Sequence, residues 1–220
     1  MRYLMILLLT FLVTACQSNT VQQDAPPTPS QSGTPVVSGT PATAKKVEKF
    51  VYRLPEGDAE YTIKIKTPKE KYKLYDSEDY DLAEIKVKED RVKVFESSGT
   101  ELFKIKSKEK QGVEIEDASG TRLYRIKRQD DGDWKLLDAG DNELFKIKAK
   151  DDGFEIRRPS GSTVAKVKAR DGQCNFKSEE GEELHRLSGV TNAQAAMWMA
   201  LDEMHPAMRA GLVVFFLELR

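Results

Sequence analysis

The chain has 220 residues, of which 32% are charged and 39% belong to the hydrophobic set, proportions that suggest about one soluble globular domain. The formal net charge is −1, and the part after residue 46 carries −3, because the first 46 residues hold Arg2, Lys45, Lys46 and Asp24. A nucleic-acid-binding protein usually shows a strong basic excess. This charge balance therefore argues against a nucleic-acid partner.

The first fifteen residues have the features of a signal peptide. Arg2 supplies a positive charge, and Leu4 to Val13 form an apolar stretch that only Thr10 interrupts. A bilayer span takes about twenty residues, so this stretch is too short to cross a membrane. It has the length of the apolar region of a signal peptide, and we expect residues 1–15 to be removed.

The segment Val13-Thr14-Ala15-Cys16 resembles the lipobox of bacterial lipoproteins. The resemblance implies cleavage after the small Ala15, followed by acylation of Cys16 on its thiol and on its new amino group with palmitate-type chains. Two or three acyl chains anchor a protein stably. Gln17 stands where enterobacterial lipoproteins of the inner membrane tend to carry Asp, which favours the outer membrane over the inner membrane as the location in the cell envelope. The alternative is an ordinary secretory signal with a chance cysteine.

Residues 16–46 begin with Cys16 and are rich in Pro, Ser, Thr, Gly and Gln, with little apolar bulk. Such a composition cannot offset the entropy of ordering, which predicts a disordered tether. A flexible chain of this length has a root-mean-square reach of about 30 Å.

Residues 47–190 contain an internal repeat with a period of about 20 or 21 residues. The copies begin at residues 61, 82, 102, 123, 144, 164 and 184, and the most similar are Leu102-Phe103-Lys104-Ile105-Lys106 and Leu144-Phe145-Lys146-Ile147-Lys148. Apolar and basic residues alternate, and Gly-containing turns separate the segments, which is typical of β-hairpins with one wet face.

The alternation also predicts which side chains point inward. The expected inner set comprises Phe103 and Ile105, Val113 and Ile115, Tyr124 and Ile126, Phe145 and Ile147, and Phe154 and Ile156. Cys174 is in phase with Phe176 on the same apolar face, which indicates a packing role for its thiol. With Cys16 acylated, Cys174 has no intramolecular disulfide partner.

Residues 191–220 change to a helical pattern. Thr191 to Gln194 has the form of a capping box, and apolar residues from Ala193 to Met204 recur at helical spacing. Pro206 suits the first position of a second helix, which is apolar on every side from Ala210 to Leu217. We expect this helix to be buried in protein; the alternative is a segment that faces a membrane.

These two regions together predict one architecture. A wall of thirteen or fourteen strands with an apolar inner face needs a filling, because only small barrels fill themselves with side chains. A helix about 10–12 Å across can supply it. The predicted fold is mainly β: an antiparallel barrel of about twelve or more strands, built from hairpin repeats and closed around a buried apolar C-terminal helix.

The repeated Leu-Phe-Lys-Ile-Lys strands, the Gly turns and the final apolar helix from Pro206 to Leu219 resemble the tubby C-terminal-like superfamily, especially its LURP-one-related and phospholipid-scramblase-like branches. The resemblance covers about residues 47–220 and implies a barrel of about twelve strands around a hydrophobic helix. Tubby domains bind phosphoinositide headgroups through basic residues. This chain lacks a tubby signature motif, so the resemblance implies the fold and not the ligand.

No pattern in the sequence indicates an enzyme, a metal site or a cofactor. His185 and His205 lie in different elements without metal-ligand spacing, and no Gly-rich phosphate loop is present. A local anion-binding strip is predicted around Arg125, Lys127, Lys146 and Lys148, although a solvated barrel exterior explains the same charges.

Two functions remain open at this point. In one, a tethered, non-enzymatic barrel binds an anionic lipid or another envelope component through that strip. In the other, it is a structural or protein-interaction component of the cell envelope, without a small-molecule ligand.

Overall fold

The computed structural model describes residues 47–108 and 112–220. The predicted signal peptide, Cys16 and the tether lie outside the described residues. The strands are β1 (Lys49–Arg53), β2 (Ala59–Thr67), β3 (Lys71–Tyr75), β4 (Asp81–Val87), β5 (Arg91–Glu96), β6 (Glu101–Ser107), β7 (Val113–Asp117), β8 (Arg122–Arg128), β9 (Trp134–Asp138), β10 (Glu143–Lys150), β11 (Gly153–Arg157), β12 (Thr163–Arg170), β13 (Gln173–Lys177) and β14 (Glu183–Ser188).

The strands form one closed antiparallel barrel in which each strand pairs with its neighbours in sequence. The ring closes between β1 and β14, where Tyr52 lies opposite Leu187. Closure leaves no unpaired strand edge, which removes the usual hazard of edge-to-edge association. The predicted mainly β barrel is therefore confirmed, with fourteen strands.

The seven turns that follow the odd-numbered strands repeat one hydrogen-bond pattern. In the turn after β7, the N–H of Asp117 donates to the carbonyl of Thr121 at 2.9 Å, and the N–H of Gly120 donates to the carbonyl of Asp117 at 3.1 Å. The fourth residue of each turn needs a positive φ, which Gly120 adopts at 90° without steric cost. Asp79 and Asp141 occupy this position in two other turns. We call the end of the barrel formed by these seven turns the Gly-turn end.

Each even-numbered strand begins with a β-bulge beside its Gly turn. In β8, Tyr124 lies opposite Ile115 and Arg122 opposite Glu116, so Leu123 is the extra residue. The equivalent extra residues are Glu60, Leu82, Leu102, Leu144, Val164 and Leu184. A bulge strengthens the local twist and redirects a side chain. Most of these residues consequently add apolar surface at the Gly-turn end.

The centre of each even-numbered strand contributes one fully enclosed aliphatic side chain to the inner face. This inner ring consists of Ile63, Ile85, Ile105, Ile126, Ile147, Val167 and Leu187, each no more than 2% exposed. The five inward pairs expected from the alternation all pack in or against this core, as does Cys174. The period-2 pattern thus predicted the inner face correctly.

The helical segment begins with α1 (Ala193–Ala196), continues as a 3₁₀ turn (Met197–Ala200), and returns as α2 (Pro206–Glu218). The side chain of Asn192, rather than Thr191, caps α1 by accepting hydrogen bonds from the N–H groups of Gln194 and Ala195. The predicted capping box is therefore wrong by one residue. The first helix is also much shorter than its apolar stripe indicated, because the chain tightens into the 3₁₀ turn within the barrel.

Helix α2 lies against the inner faces of β3, β4, β5 and β6, and all its residues from Ala207 to Phe216 are buried. The helix comes so close to the wall that a Cβ atom at Gly211 would lie 2.8 Å from Val94 Cγ2 and 2.9 Å from Ile105 Cδ1. The rings of Trp198 and Phe216 stack with centroids 5.0 Å apart. The expectation of a helix buried in protein is confirmed.

One buried charge links α2 to the end of the 3₁₀ turn at the Gly-turn end. Arg209 of α2 is 3% exposed, and its guanidinium donates to the carbonyl of Met199 at 2.9 Å and to the Asp202 carboxylate at 2.6 Å. The same guanidinium lies over the ring of Tyr61. These contacts offset the cost of burying the charge and hold the return between the 3₁₀ turn and α2.

Candidate functional site

The outer face carries a recurring basic position that follows directly from the strand repeat. The residue after each inner-ring side chain points outward, and in six of the seven even-numbered strands it is lysine. We call these residues the basic collar: Lys64, Lys86, Lys106, Lys127, Lys148 and Lys168. The seventh strand has Ser188 at this position.

Most of the basic collar is neutralised by carboxylates. The pairs are Lys64 with Asp79 at 2.6 Å, Lys86 with Glu84 at 2.9 Å, Lys106 with Glu116 at 2.6 Å and Lys168 with Asp152 at 2.5 Å. Within residues 47–108 and 112–220, Lys127 and Lys148 form no ion pair. Among the described residues, these two collar lysines are therefore set apart from the other four by having no carboxylate partner.

The predicted strip of Arg125, Lys127, Lys146 and Lys148 divides into two kinds of residue. Arg125 lies 3.8 Å from the carboxylate of Asp141, and Lys146 lies 3.3 Å from that of Asp133. Both partners come from turns rather than from neighbouring strands. The structure therefore separates the neutralised Arg125 and Lys146 from the unpaired Lys127 and Lys148.

The strand register also shows two basic residues that the sequence-based strip omits. Lys135 lies opposite Lys127 on one side and opposite Lys146 on the other, and Arg157 follows opposite Lys146. The period-2 alternation of β9 and β11 places both on the outer face, but their alignment with the strip depends on register. Lys135 is paired with Glu143 at 2.8 Å and Arg157 with Glu155 at 2.9 Å.

Glu155 illustrates how these carboxylates stay ionised. Its side chain is largely buried, and burial acts to raise its pKa, but hydrogen bonds from Arg157 and Lys150 outweigh burial and lower the pKa overall. A carboxylate held in this way remains charged at neutral pH and screens the lysines around it. Lys148 lies opposite Glu155 in the register, whereas Lys127 lies opposite Lys135, so Lys127 is the less screened of the two unpaired collar lysines.

Neither histidine takes part in this surface. The Nδ1 atom of His205 accepts the N–H of Ala207 and so caps α2, while the ring of His185 stacks on Tyr52 with centroids 4.7 Å apart. Cys174 donates to the carbonyl of Val190, and burial raises the pKa of its thiol to about 12. In the described part of the chain, no group of three or more His, Cys, Asp or Glu side chains is arranged to hold a metal ion.

Comparison with known sequences identifies the family of this chain. The LURP-one-related family model matches residues 82–197, just over half of the chain, from the start of β4 to the start of the 3₁₀ turn. The chain belongs to the LURP-one-related family. In this LURP-one-related barrel, Lys127 and Lys148 both fall inside the matched region.

Two solved structures resemble this LURP-one-related chain at low identity. An X-ray structure of a protein from Arabidopsis thaliana matches with 12% identity and a TM-score of 0.39, over 71% of this chain and 92% of the other. Alternansucrase in complex with isomaltononaose matches with 15% identity and a TM-score of 0.17, over 58% of this chain and 12% of the other. A comparison with curated proteins finds no match. Among the helices described, none is both long and apolar enough to cross a membrane.

Proposed function

We propose that this LURP-one-related chain is a lipid-anchored protein of the bacterial cell envelope, and that its barrel binds anionic lipid headgroups through Lys127 and Lys148. The observation that carries the proposal is the contrast within the basic collar. Four collar lysines have carboxylate partners, whereas Lys127 and Lys148 have none among the described residues. The proposed role is binding rather than catalysis.

The position of the first described residues supports this proposal. Val47 and Glu48 lie beside Ile65 and Pro68, at the end of the barrel opposite the Gly-turn end. Lys127 and Lys148 lie in the second halves of β8 and β10, which both start at the Gly-turn end, so these lysines lie towards that same opposite end. A tether attached to residue 47 would therefore leave the barrel at the end near the unpaired lysines rather than at the Gly-turn end.

The lipid-binding half of the proposal can be tested with anionic and zwitterionic vesicles. Residues 47–220 contain the closed wall and its filling, so this barrel fragment can be assayed without the anchor. Each lysine near an anionic surface contributes about 1 kcal/mol, so K127Q/K148Q should lower partitioning into phosphatidylglycerol vesicles about 30-fold. The matched control is R125Q/K146Q, which changes two neutralised residues on the same strands.

Co-sedimentation separates the outcomes. Strong binding of the control variant together with loss of binding by K127Q/K148Q would support the proposal. Equal weak binding to anionic and zwitterionic vesicles, or equal losses in both double variants, would refute the assignment of the site.

The anchoring half requires a separate experiment in bacterial cells. An alkyne-labelled palmitate should be incorporated into the full chain and lost in Cys16→Ala, together with membrane association. The matched control is Cys174→Ala, which removes the buried cysteine and should leave labelling unchanged. Labelling that persists in Cys16→Ala would rule out Cys16 as the acylated residue.

A further inference from the structure

The two ends of the barrel differ strongly in charge. The seven turns of the Gly-turn end, residues 54–58, 76–80, 96–100, 117–121, 138–142, 158–162 and 178–182, contain twelve acidic residues and a single basic residue, Arg158. The return between the 3₁₀ turn and α2 adds Asp202 and Glu203 at the same end. The second halves of the even-numbered strands, by contrast, carry the basic collar. The Gly-turn end is therefore the acidic end of a molecule whose described portion is close to neutral overall.

A groove of about 580 Å³ opens at this acidic end. Its apolar lining consists of Phe103, Leu123, Tyr124, Leu144 and Met208, and His205 also contributes to the wall. Leu123 and Leu144 are bulge residues of β8 and β10, so each adds an apolar side chain beyond the regular alternation. Both are only partly buried against the core, which leaves apolar surface facing the groove.

Two carboxylates flank the apolar lining. Asp117 lies opposite Phe103 in the register, and Asp138 lies opposite Tyr124 and also lines the groove. Asp138 accepts hydrogen bonds from the N–H groups of Gly140 and Asn142, both at 2.8 Å. Asp117 accepts the hydroxyl of Ser119 at 2.6 Å and the N–H of Thr121 at 2.9 Å. These bonds fix the two carboxylates in place on their turns.

Bonds from their own turns keep both carboxylates in the charged form. Hydrogen bonds from Asn142 to Asp138, and from Ser119 and Thr121 to Asp117, lower the pKa of each carboxyl group. Neither forms an ion pair with any Lys or Arg in residues 47–108 or 112–220. Glu203 differs, because it is paired with Arg158 at 2.7 Å. The groove thus combines an apolar floor with Asp138 in its wall and Asp117 beside Phe103. Arg122 lies close enough to Asp138 to help lower its pKa, but neither carboxylate has an ion-pair partner among the described residues.

We propose that this groove is a docking surface for a cationic protein segment in which apolar side chains are flanked by Lys or Arg. An apolar side chain would occupy the groove between Leu123 and Leu144, and the flanking cations would pair with Asp117 and Asp138. An anionic membrane is the wrong occupant, because the same carboxylates would repel it. The inference does not depend on the lipid anchor or on the basic collar.

The test uses the full chain in nanodiscs of phosphatidylcholine, which has no net charge. The probe is a fluorescein-labelled peptide, Lys-Lys-Trp-Leu-Lys-Lys, followed by fluorescence anisotropy at low salt. Two control peptides replace either the Trp-Leu pair with Ser-Ser or all four lysines with glutamate. The docking surface requires both apolar and cationic parts, so binding should be clearly weaker for each control peptide.

The seven-fold repeat supplies matched control variants. Truncating a contact at the centre of an interface typically weakens binding by about tenfold or more, which we expect for Leu123→Ser. Leu184→Ser removes the equivalent bulge leucine on β14, outside the groove, and should leave affinity within about twofold. Asp138→Asn keeps the turn and removes the charge, and should weaken binding about threefold. Its control is Asp76→Asn, because Asp76 makes the same turn bonds after β3.

The outcomes are separable. Selective loss in Leu123→Ser and Asp138→Asn supports the groove as the docking site. Equal affinity for the glutamate peptide, or equal losses in groove and control variants, would overturn it. Asp138→Asn keeps the shape of a half-buried side chain at the end of β9, so the test survives if Leu123→Ser fails to fold.

Discussion

The wall of the barrel repeats one hairpin seven times, whereas the helical segment inside it contains no repeat at all. Each hairpin makes the same Gly turn, the same bulge and the same inner-ring contact. The helical segment instead touches different strands with different residues: α2 packs on β3 to β6, and α1 on β11 and β12. Positions that correspond in the repeat therefore differ in which part of the helical segment they contact.

This difference predicts which parts of the protein tolerate substitution. A repeated wall needs only an apolar residue inward and a polar residue outward, because each strand meets a neighbour like itself. The interior must fill one irregular volume at close-packed density, so each of its side chains is specified individually. Mutations should therefore cost more in the helical segment than at matched positions of the wall.

The largest expected effect is at Phe216. Its ring stacks on Trp198 and meets Trp134 edge to face at 5.5 Å between centroids. Removing a buried phenyl ring leaves a cavity, so Phe216→Ala should lower the free energy of unfolding of the barrel fragment by about 3–5 kcal/mol. The control is Phe95→Ala on the wall, where Lys86 covers the ring at 4.6 Å and the expected loss is about 1 kcal/mol. Guanidinium unfolding would measure both, and equal losses would contradict the comparison.

A smaller effect is expected at Gly211, where α2 meets Val94 and Ile105. Gly211→Val forces side-chain atoms into a packed interface and should cost about 1–3 kcal/mol. The wall control is Gly161→Asn, since Gly161 has open space around it and a φ of 93°. Asp79 and Asp141 hold the equivalent position in other turns, so this change should cost no more than about 1 kcal/mol. Thermal unfolding of the two variants would measure both costs. A greater loss of stability in Gly161→Asn than in Gly211→Val would contradict the prediction.

The repeated wall could be predicted from the sequence because its rules are local. Alternation alone places Ile105 and Lys106 on opposite faces, and the Gly turns mark where the strands reverse. The helical segment could be predicted only as an apolar filling. Its inner geometry depends on tertiary packing, which is why Asn192 rather than Thr191 caps α1 and why the apolar stripe becomes a 3₁₀ turn.

Only part of the candidate site could be predicted from the sequence, because local rules place the basic residues but not their partners. The basic residues follow the strand repeat, so Lys127 and Lys148 could be named from the sequence. The neutralisation of Lys146 and Arg125 could not be predicted, because their partners Asp133 and Asp141 are turn residues whose carboxylates reach a strand that does not border the turn. The acidic groove was not predicted either, since the bulges at Leu123 and Leu144 depend on how neighbouring strands align. The available signal was the apolar pair near the start of five of the seven even-numbered strands, as at Leu123-Tyr124 and Leu144-Phe145.

The smallest expected effect concerns the ion pairs of the wall and their dependence on pH. Hydrogen bonds from Lys71 and Lys86 lower the pKa of Glu84 below its ordinary value of 4.5. A carboxyl group whose pKa is lower in the folded state stabilises the protein above its unfolded pKa, and this contribution is lost as the pH falls through the folded pKa. Glu84→Gln should therefore cost roughly 0.5 kcal/mol at pH 7 and progressively less below about pH 4.5.

Chemical unfolding of the barrel fragment at pH 7 and pH 3 would measure this change. The control is Glu70→Gln, because Glu70 forms no ion pair with any residue that the structure describes. The free energy of unfolding of Glu70→Gln should equal that of the parent fragment at both pH values. A Glu84→Gln penalty that grows at pH 3 would mean that the carboxylate destabilises the wall, contrary to the lowered pKa. Helix α2 contacts the inner face of β4, whereas Glu84 lies on the outer face of this strand. A small loss of stability in Glu84→Gln, with none in Glu70→Gln, would therefore also show that outer charges of the wall can change without disturbing the packed interior.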